Sequence, residues 1–210
     1  TLGRDFGRLH PELRRRFGIG STGERACIGT GTMDEVWRGR GVAPFLHLGA
    51  TRNLLFPETG REVPFTIENY AYRDDLGRET VTFLRTFVVA PGRRRRFDAT
   101  MVHQAGRLVD FLGTHQHVAA DLHLTVEEGA LVIRTGAFRI RGRRLPHALA
   151  ADATVRESFD DTAGCFRIAV RVTNPLVGPV FGYSGRFTAR YPELAAVPAV
   201  ARPYREELRV

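Results

Sequence analysis

The stretch from Val81 to Gly113, VTFLRTFVVAPGRRRRFDATMVHQAGRLVDFLG, places apolar residues at every second position through consecutive segments. That period belongs to β-strands, whose side chains point alternately to opposite faces, and not to helices. On the first segment Val81, Phe83, Arg85, Phe87 and Val89 share one face. On the second Phe97, Ala99, Met101 and His103 do the same, and on the third Asp110 stands between Val109 and Phe111. An arginine, a histidine and a carboxylate are therefore expected to meet inside one apolar cavity. A charge on an apolar face has to be compensated. For Arg85 the compensation is either a structural ion pair with Asp110 or Glu68, or the anionic group of a ligand.

The same alternation continues along the chain. Strands are expected at Val63 to Arg73, Thr80 to Ala90, Arg96 to Gln104, Arg107 to Leu112, His115 to Glu127, Leu131 to Arg141, Thr154 to Phe159, Phe166 to Thr173 and Val180 to Tyr191. An earlier strand from Glu24 to Trp37 is interrupted by Gly29 and Gly31, which predicts a bulge or the close approach of another group. Connections such as DDLG, APGRR, EEG and DDTAG carry turn chemistry for antiparallel neighbours. A meander of nine or ten strands escapes its exposed edges by closing, or nearly closing, into a barrel. The expected class is thus α+β and β-rich, a strongly curved or barrel-like antiparallel sheet with two short helices.

The first helix is read from Phe6, Leu9, Leu13 and Phe17, with Pro11 in its first turn and Gly18 ending it. Its Arg14, Arg15 and Arg16 read as a solvated face, with a phosphate or membrane patch as the alternative. The second is read over Val42 to Phe56, with Phe45, Leu48, Arg52 and Leu55 on one stripe and Pro57 as its stop. RLPHALAADA reads as a loop or single helical turn. The 210 residues are expected to form one domain: a helical region over 1–23, the sheet or barrel over 24–191 and a tail over 192–210.

A net charge of +8 invites a nucleic-acid reading through the arginines at 93–96 and 139–144. The chain contains no lysine and is rich in Arg, Ala, Gly and Val, as a GC-rich genome would impose whatever the function. Stacking aromatics are not interleaved with those arginines, which argues against nucleic acid. Cys27 and Cys165 each fall in or beside an apolar strand and read as buried free thiols. No apolar run is long enough for a membrane span, so a soluble cytoplasmic protein is expected.

Among candidate site residues, Arg85 is joined by His103 and Asp110, and by Tyr183, which shares its strand face with Phe181 and Phe187. A buried tyrosine hydroxyl needs a partner and can donate to a developing oxyanion. Phe83, Phe87, Met101, Phe181 and Phe187 are the expected ligand-contacting wall. THQHVAADLH puts His115, His117, Asp121 and His123 on one face, an arrangement some metal-binding barrels use. That face is the polar one, opposite Val118, Leu122, Leu124 and Val126, so it is expected in water, and no metal or other cofactor is assigned. Neither a nucleophile elbow nor a P-loop is present: Ser21, Ser158 and Ser184 lack flanking GxSxG, and GIGSTGE lacks the closing Lys-Ser/Thr.

Taken in order, LGRDFGRLHPELRRRFG, FLRTF, LVDFLG, GRRLPHAL and NPLVGPVFGYSGRF resemble the domain family often fused behind a saccharopine-reductase-like NAD-binding domain. The resemblance spans Leu2 to Tyr191. Phe83 stands where that family tends to have Trp, and Asp110 where it tends to have Glu. The resemblance implies a domain without its own NAD-binding half, and leaves room for a separate NAD-binding partner. From the residues, the expected function is a pocket for an apolar or amphiphilic small molecule, with cofactor-free acid/base isomerisation or cyclisation as the leading reading. A non-catalytic carrier of lipid or small molecules is the alternative, and a nucleic-acid binder the second.

Overall fold

The protein is described here by a computed structural model that covers residues 2–208. Its strands are β1 (Cys27–Arg38), β2 (Gly60–Arg73), β3 (Glu79–Ala90), β4 (Arg93–Gln104), β5 (Arg107–Leu112), β6 (Val118–Glu127), β7 (Ala130–Ile140), β8 (Arg143–Arg144), β9 (Asp152–Asp160), β10 (Cys165–Asn174) and β11 (Gly178–Arg190). Each long strand pairs antiparallel with its neighbour in sequence, β7 pairs with both β6 and β9, and β1 pairs with β11. The result is a closed ten-stranded up-and-down barrel with the two-residue β8 added beside β7. An even number of alternating strands lets first and last meet antiparallel, which leaves no free edge in the main sheet.

Turn chemistry holds the meander together. The β4–β5, β6–β7 and β7–β8 hairpins turn on Ala105–Gly106, Glu128–Gly129 and Arg141–Gly142, each pair with both φ angles between 49° and 79°. Two positive φ values in a two-residue loop are the mirror-image turn whose twist matches the flanking strands. Gly31 serves the seam: a Cβ there would lie 2.0 Å from the Arg186 carbonyl oxygen and 2.5 Å from the Phe187 Cα. The expected interruption of β1 is therefore both a close approach at the glycines and a register shift between Met33 and Glu35.

The two ends of the barrel are covered differently. At one end a 3₁₀ turn (Gly3–Arg8) and the helix α1 (Pro11–Phe17) lie across the opening, with the His10 N–H donating to the Gly129 carbonyl and the His10 ring stacked on Phe159 at 5.0 Å. At the other, the helix α2 (Ala43–Ala50) and a 3₁₀ turn (His147–Leu149) partly cover the mouth. α2 is shorter than its sequence suggests. The chain turns at Asn53, whose φ is +52° and whose carbonyl accepts the Asp98 N–H at 2.8 Å. The expected apolar stripe is also reversed: Leu46 is buried, while Phe45 and Leu48 face solvent.

The tail, with its 3₁₀ turn Ala199–Ala201, runs over the outside of the barrel, where Ala201 packs with Ala26, Tyr70 and Leu84. Both cysteines are free and buried. Among the described residues no helix is long and apolar enough to cross a membrane.

Candidate binding cavity

Aromatic side chains of β2, β3 and β11, with Phe166 at the start of β10 and Phe56 from the connection before β2, fill part of the interior. Phe65 and Phe87 lie 5.0 Å apart, Phe56 sits 5.0 Å from both Phe87 and Phe181, and Phe166 stacks on Phe187 at 5.1 Å. Inward side chains on the far arc are shorter, among them Val118, Thr135, Ala153, Val155, Val170 and Val172, and they leave a cavity of about 350 Å³. That volume is within the range of small-molecule pockets.

Four of the ionisable groups on the cavity wall come from different strands: Arg85 from β3, Asp110 from β5, Glu157 from β9 and Tyr183 from β11. A fifth, Arg16, comes from α1. They form two sets. Arg16 and Glu157 make a buried ion pair through Nε and Oε1, and Arg16 Nη1 also donates to Cys27 Sγ at 3.1 Å. Burial pushes the Cys27 thiol pKa up, against the pull of Arg16. This set is largely satisfied and closes the α1 end of the cavity.

The second set is not satisfied. Arg85 and Asp110 are each 8% exposed, and Tyr183 is buried. Arg85 Nε and Nη1, Asp110 Oδ1 and the Tyr183 hydroxyl are all buried without a hydrogen-bond partner. The structural ion pair weighed for Arg85, with Asp110 or Glu68, is not made; its guanidinium lies instead 4.8 Å from the Phe97 ring centre and 5.4 Å from that of Phe83. The two groups still feel each other. Burial raises the Asp110 pKa from 3.8 to about 6, with Arg85 opposing the rise, and burial likewise pushes Tyr183 up to about 12. Orphaned polar atoms in an apolar cavity call for an explanation, because each costs roughly 1–3 kcal/mol unless something pairs it.

The expected wall is partly corrected. Phe83 and Met101 line the cavity, but Phe87, Phe181 and Phe187 belong to the packed aromatic block and do not. His103 shares the face of Phe97 and Met101, yet it is exposed, because it sits at the end of β4 beyond the covered interior. Arg16 is corrected in the other direction: Arg14 and Arg15 are solvated as expected, while Arg16 is fully buried. Its place three residues after Leu13, one helical turn along the same face, was the available signal. Glu157 offered a similar one, as a carboxylate in step with Val155 and Phe159.

His115 and His117 lie in the connection before β6, not on a strand. Their rings are 5.7 Å apart, His115 stacks on Tyr204, and His117 Nδ1 is 3.1 Å from Arg52 Nη1. The His117 pKa is lowered by desolvation and by Arg141, Arg205 and Arg52. Asp121 is engaged by Arg139 at 2.8 Å. Among the described residues there is no group of three His, Cys, Asp or Glu side chains that could hold a metal.

Fold and interior together define a closed antiparallel β-barrel with an apolar internal cavity and a few unpaired polar groups. Residues 9–187 match the family described as a domain of unknown function, DUF4166, and the chain belongs to that family. It is similar to an uncharacterized protein, YndH, of Bacillus subtilis (strain 168), with 34% identity over 187 residues, 85% of this chain and 90% of the relative. No solved structure matches it.

Proposed function

We propose that the barrel binds an amphiphilic small molecule with an acidic or enolisable carbonyl head, and that Asp110 moves a proton on it. One observation carries this reading: Arg85, Asp110 and Tyr183 present buried, unpaired polar atoms to one apolar cavity. Arg85 and Tyr183 are donors, and they suit a carboxylate, a carbonyl or an enolate oxygen. The apolar wall suits the rest of the molecule.

In the catalytic form of the proposal, the Asp110 carboxylate takes a proton from carbon next to the carbonyl. The C–H electron pair becomes the new C=C bond and the carbonyl π pair moves onto oxygen, where Arg85 and Tyr183 stabilise the enolate. Return of the proton from Asp110 to another carbon completes an isomerisation; attack of the enolate carbon on an internal carbonyl carbon, whose oxygen takes the π pair and then that proton, completes a cyclisation. A pKa of about 6 suits Asp110 to this, since a carboxylate at its ordinary value is a weaker base. His103, exposed at the strand end, has no part in it. The carrier reading keeps the same contacts and drops the proton transfer. It is favoured by how few polar groups the wall contains.

Native mass spectrometry of the purified protein tests both forms, with a fluorescent long-chain carboxylic acid as the binding probe. Arg85→Met should weaken the probe at least tenfold, as expected for loss of a charged hydrogen bond worth about 1.5–3 kcal/mol. Tyr183→Phe should weaken it less. Equal affinity in wild type and Arg85→Met, with both folded, removes the proposal. A co-purifying compound that the protein converts supports catalysis, and one returned intact supports the carrier.

A further inference from the structure

The cavity reaches the surface at the α2 end. Phe45 and Leu149 line it and are nevertheless 75% and 64% exposed, whereas Arg16 and Glu157 at the opposite end are buried. Leu48, Leu176 and Val177 extend this apolar rim across α2 and the β10–β11 turn, all of them exposed. The rim is fixed in shape. Asn174 Nδ2 donates to the Ala148 and Ala150 carbonyls at 3.0 and 2.6 Å, and its Oδ1 accepts the N–H groups of Leu176 and Val177 at 2.9 and 3.2 Å. These bonds tie the β10–β11 turn to the turn at 147–149.

The exposed charges of the β7–β8 hairpin are all positive. Arg141, Arg143 and Arg144 on the β7–β8 hairpin and Arg40 beside the β10–β11 turn are exposed, and none forms an ion pair among the described residues. Glu58 is held by Arg93 and Arg95, and Asp152 lies 3.7 Å from the His147 ring, an ion pair only when that ring is protonated. Protruding single apolar side chains on three separate elements, flanked by the unpaired arginines of one hairpin and by Arg40, suit a deformable anionic surface better than a rigid protein groove.

We infer that this end of the barrel docks on an anionic lipid bilayer, Phe45, Leu48, Leu149 and Leu176 entering the headgroup boundary while the arginines meet phosphate. An amphiphile then passes between bilayer and cavity without crossing water. This rests on the reading of the cavity as an amphiphile site.

Flotation with vesicles of phosphatidylcholine alone, and of roughly seven parts phosphatidylcholine to three of phosphatidylglycerol, tests it. Wild type should float with the anionic vesicles, at least tenfold better than with neutral ones, and lose that binding in high salt. Two variants separate the contributions without touching the cavity wall: Leu48→Ser with Leu176→Ser and Val177→Ser, and Arg141→Ser with Arg143→Ser and Arg144→Ser. Each should lower flotation at least fivefold while binding the fluorescent carboxylic acid in solution as wild type does. Failure of wild type to float overturns docking, as does a dimer in solution that the apolar variant abolishes and that does not bind vesicles. Loss of fluorescent-acid binding by wild type overturns the cavity reading instead, so the two failures are distinct.

Discussion

Asp110→Asn offers the most direct test of the cavity electrostatics. Burial raises the Asp110 pKa from 3.8 to about 6 in the fold. The folded state thus holds this proton more tightly than the unfolded chain does. Its contribution to stability is complete below pH 3.8 and is lost as pH rises through about 6. Each pH unit between the two values is worth about 1.4 kcal/mol, so the carboxylate costs the fold about 3 kcal/mol at pH 8 relative to pH 3.8. Asparagine does not titrate.

The assay is urea unfolding of the delipidated wild type and variant from pH 4 to pH 8. The difference between the proteins is the readout, because the raised pKa values of Asp98 and Glu206 affect both equally and cancel. That difference should move in favour of Asp110→Asn by about 3 kcal/mol over the window, about 1 to 1.5 M in urea midpoint for a slope of about 2–3 kcal/mol per M. A difference that stays constant from pH 4 to pH 8 would refute the claim that Asp110 is desolvated and unpaired. The fluorescent acid should shift the same curve, since a bound head group changes the field at Asp110.

Arg16→Met or Glu157→Gln alone should destabilise by about 3–5 kcal/mol, measured by urea unfolding, since each strands one buried charge; combining Arg16→Met with Glu157→Leu should recover much of that loss. If the double substitution is as damaging as the two singles added together, the pair is not the reason. Gly31→Ala should destabilise by about 3 kcal/mol or more, or abolish soluble expression, because the new methyl meets backbone atoms of β11 that cannot swing aside; a variant with wild-type melting behaviour contradicts the seam geometry.

Strand positions were legible because a period of two survives in any sheet that buries one face. Val63 to Arg73 and Thr80 to Ala90 were expected from it, against the observed Gly60–Arg73 and Glu79–Ala90. The same period put Arg85, Asp110 and Tyr183 inside. It could not say how far along the axis the interior extends, so His103 shares their face and still meets water. Nor could it separate Phe83 and Met101, which line the cavity, from Phe87, Phe181 and Phe187, which fill the neighbouring volume. All five alternate in the same way; what differs is the size of the side chains across the barrel.

Helical periodicity misled at α2, where the stripe of Phe45 and Leu48 is apolar and points outward. Amphipathicity identifies a face that favours a non-aqueous neighbour, and the neighbour need not belong to the same chain. By itself the sequence determined the strands, their inward faces and the charges carried on them, since those follow from local alternation. Only the tertiary structure decided that β1 meets β11, that Arg16 and Glu157 satisfy one another across 141 residues, and that Arg85, Asp110 and Tyr183 are left unpaired around a common cavity. Those outcomes depend on distances across the closed barrel, and no pattern within a single strand encodes them.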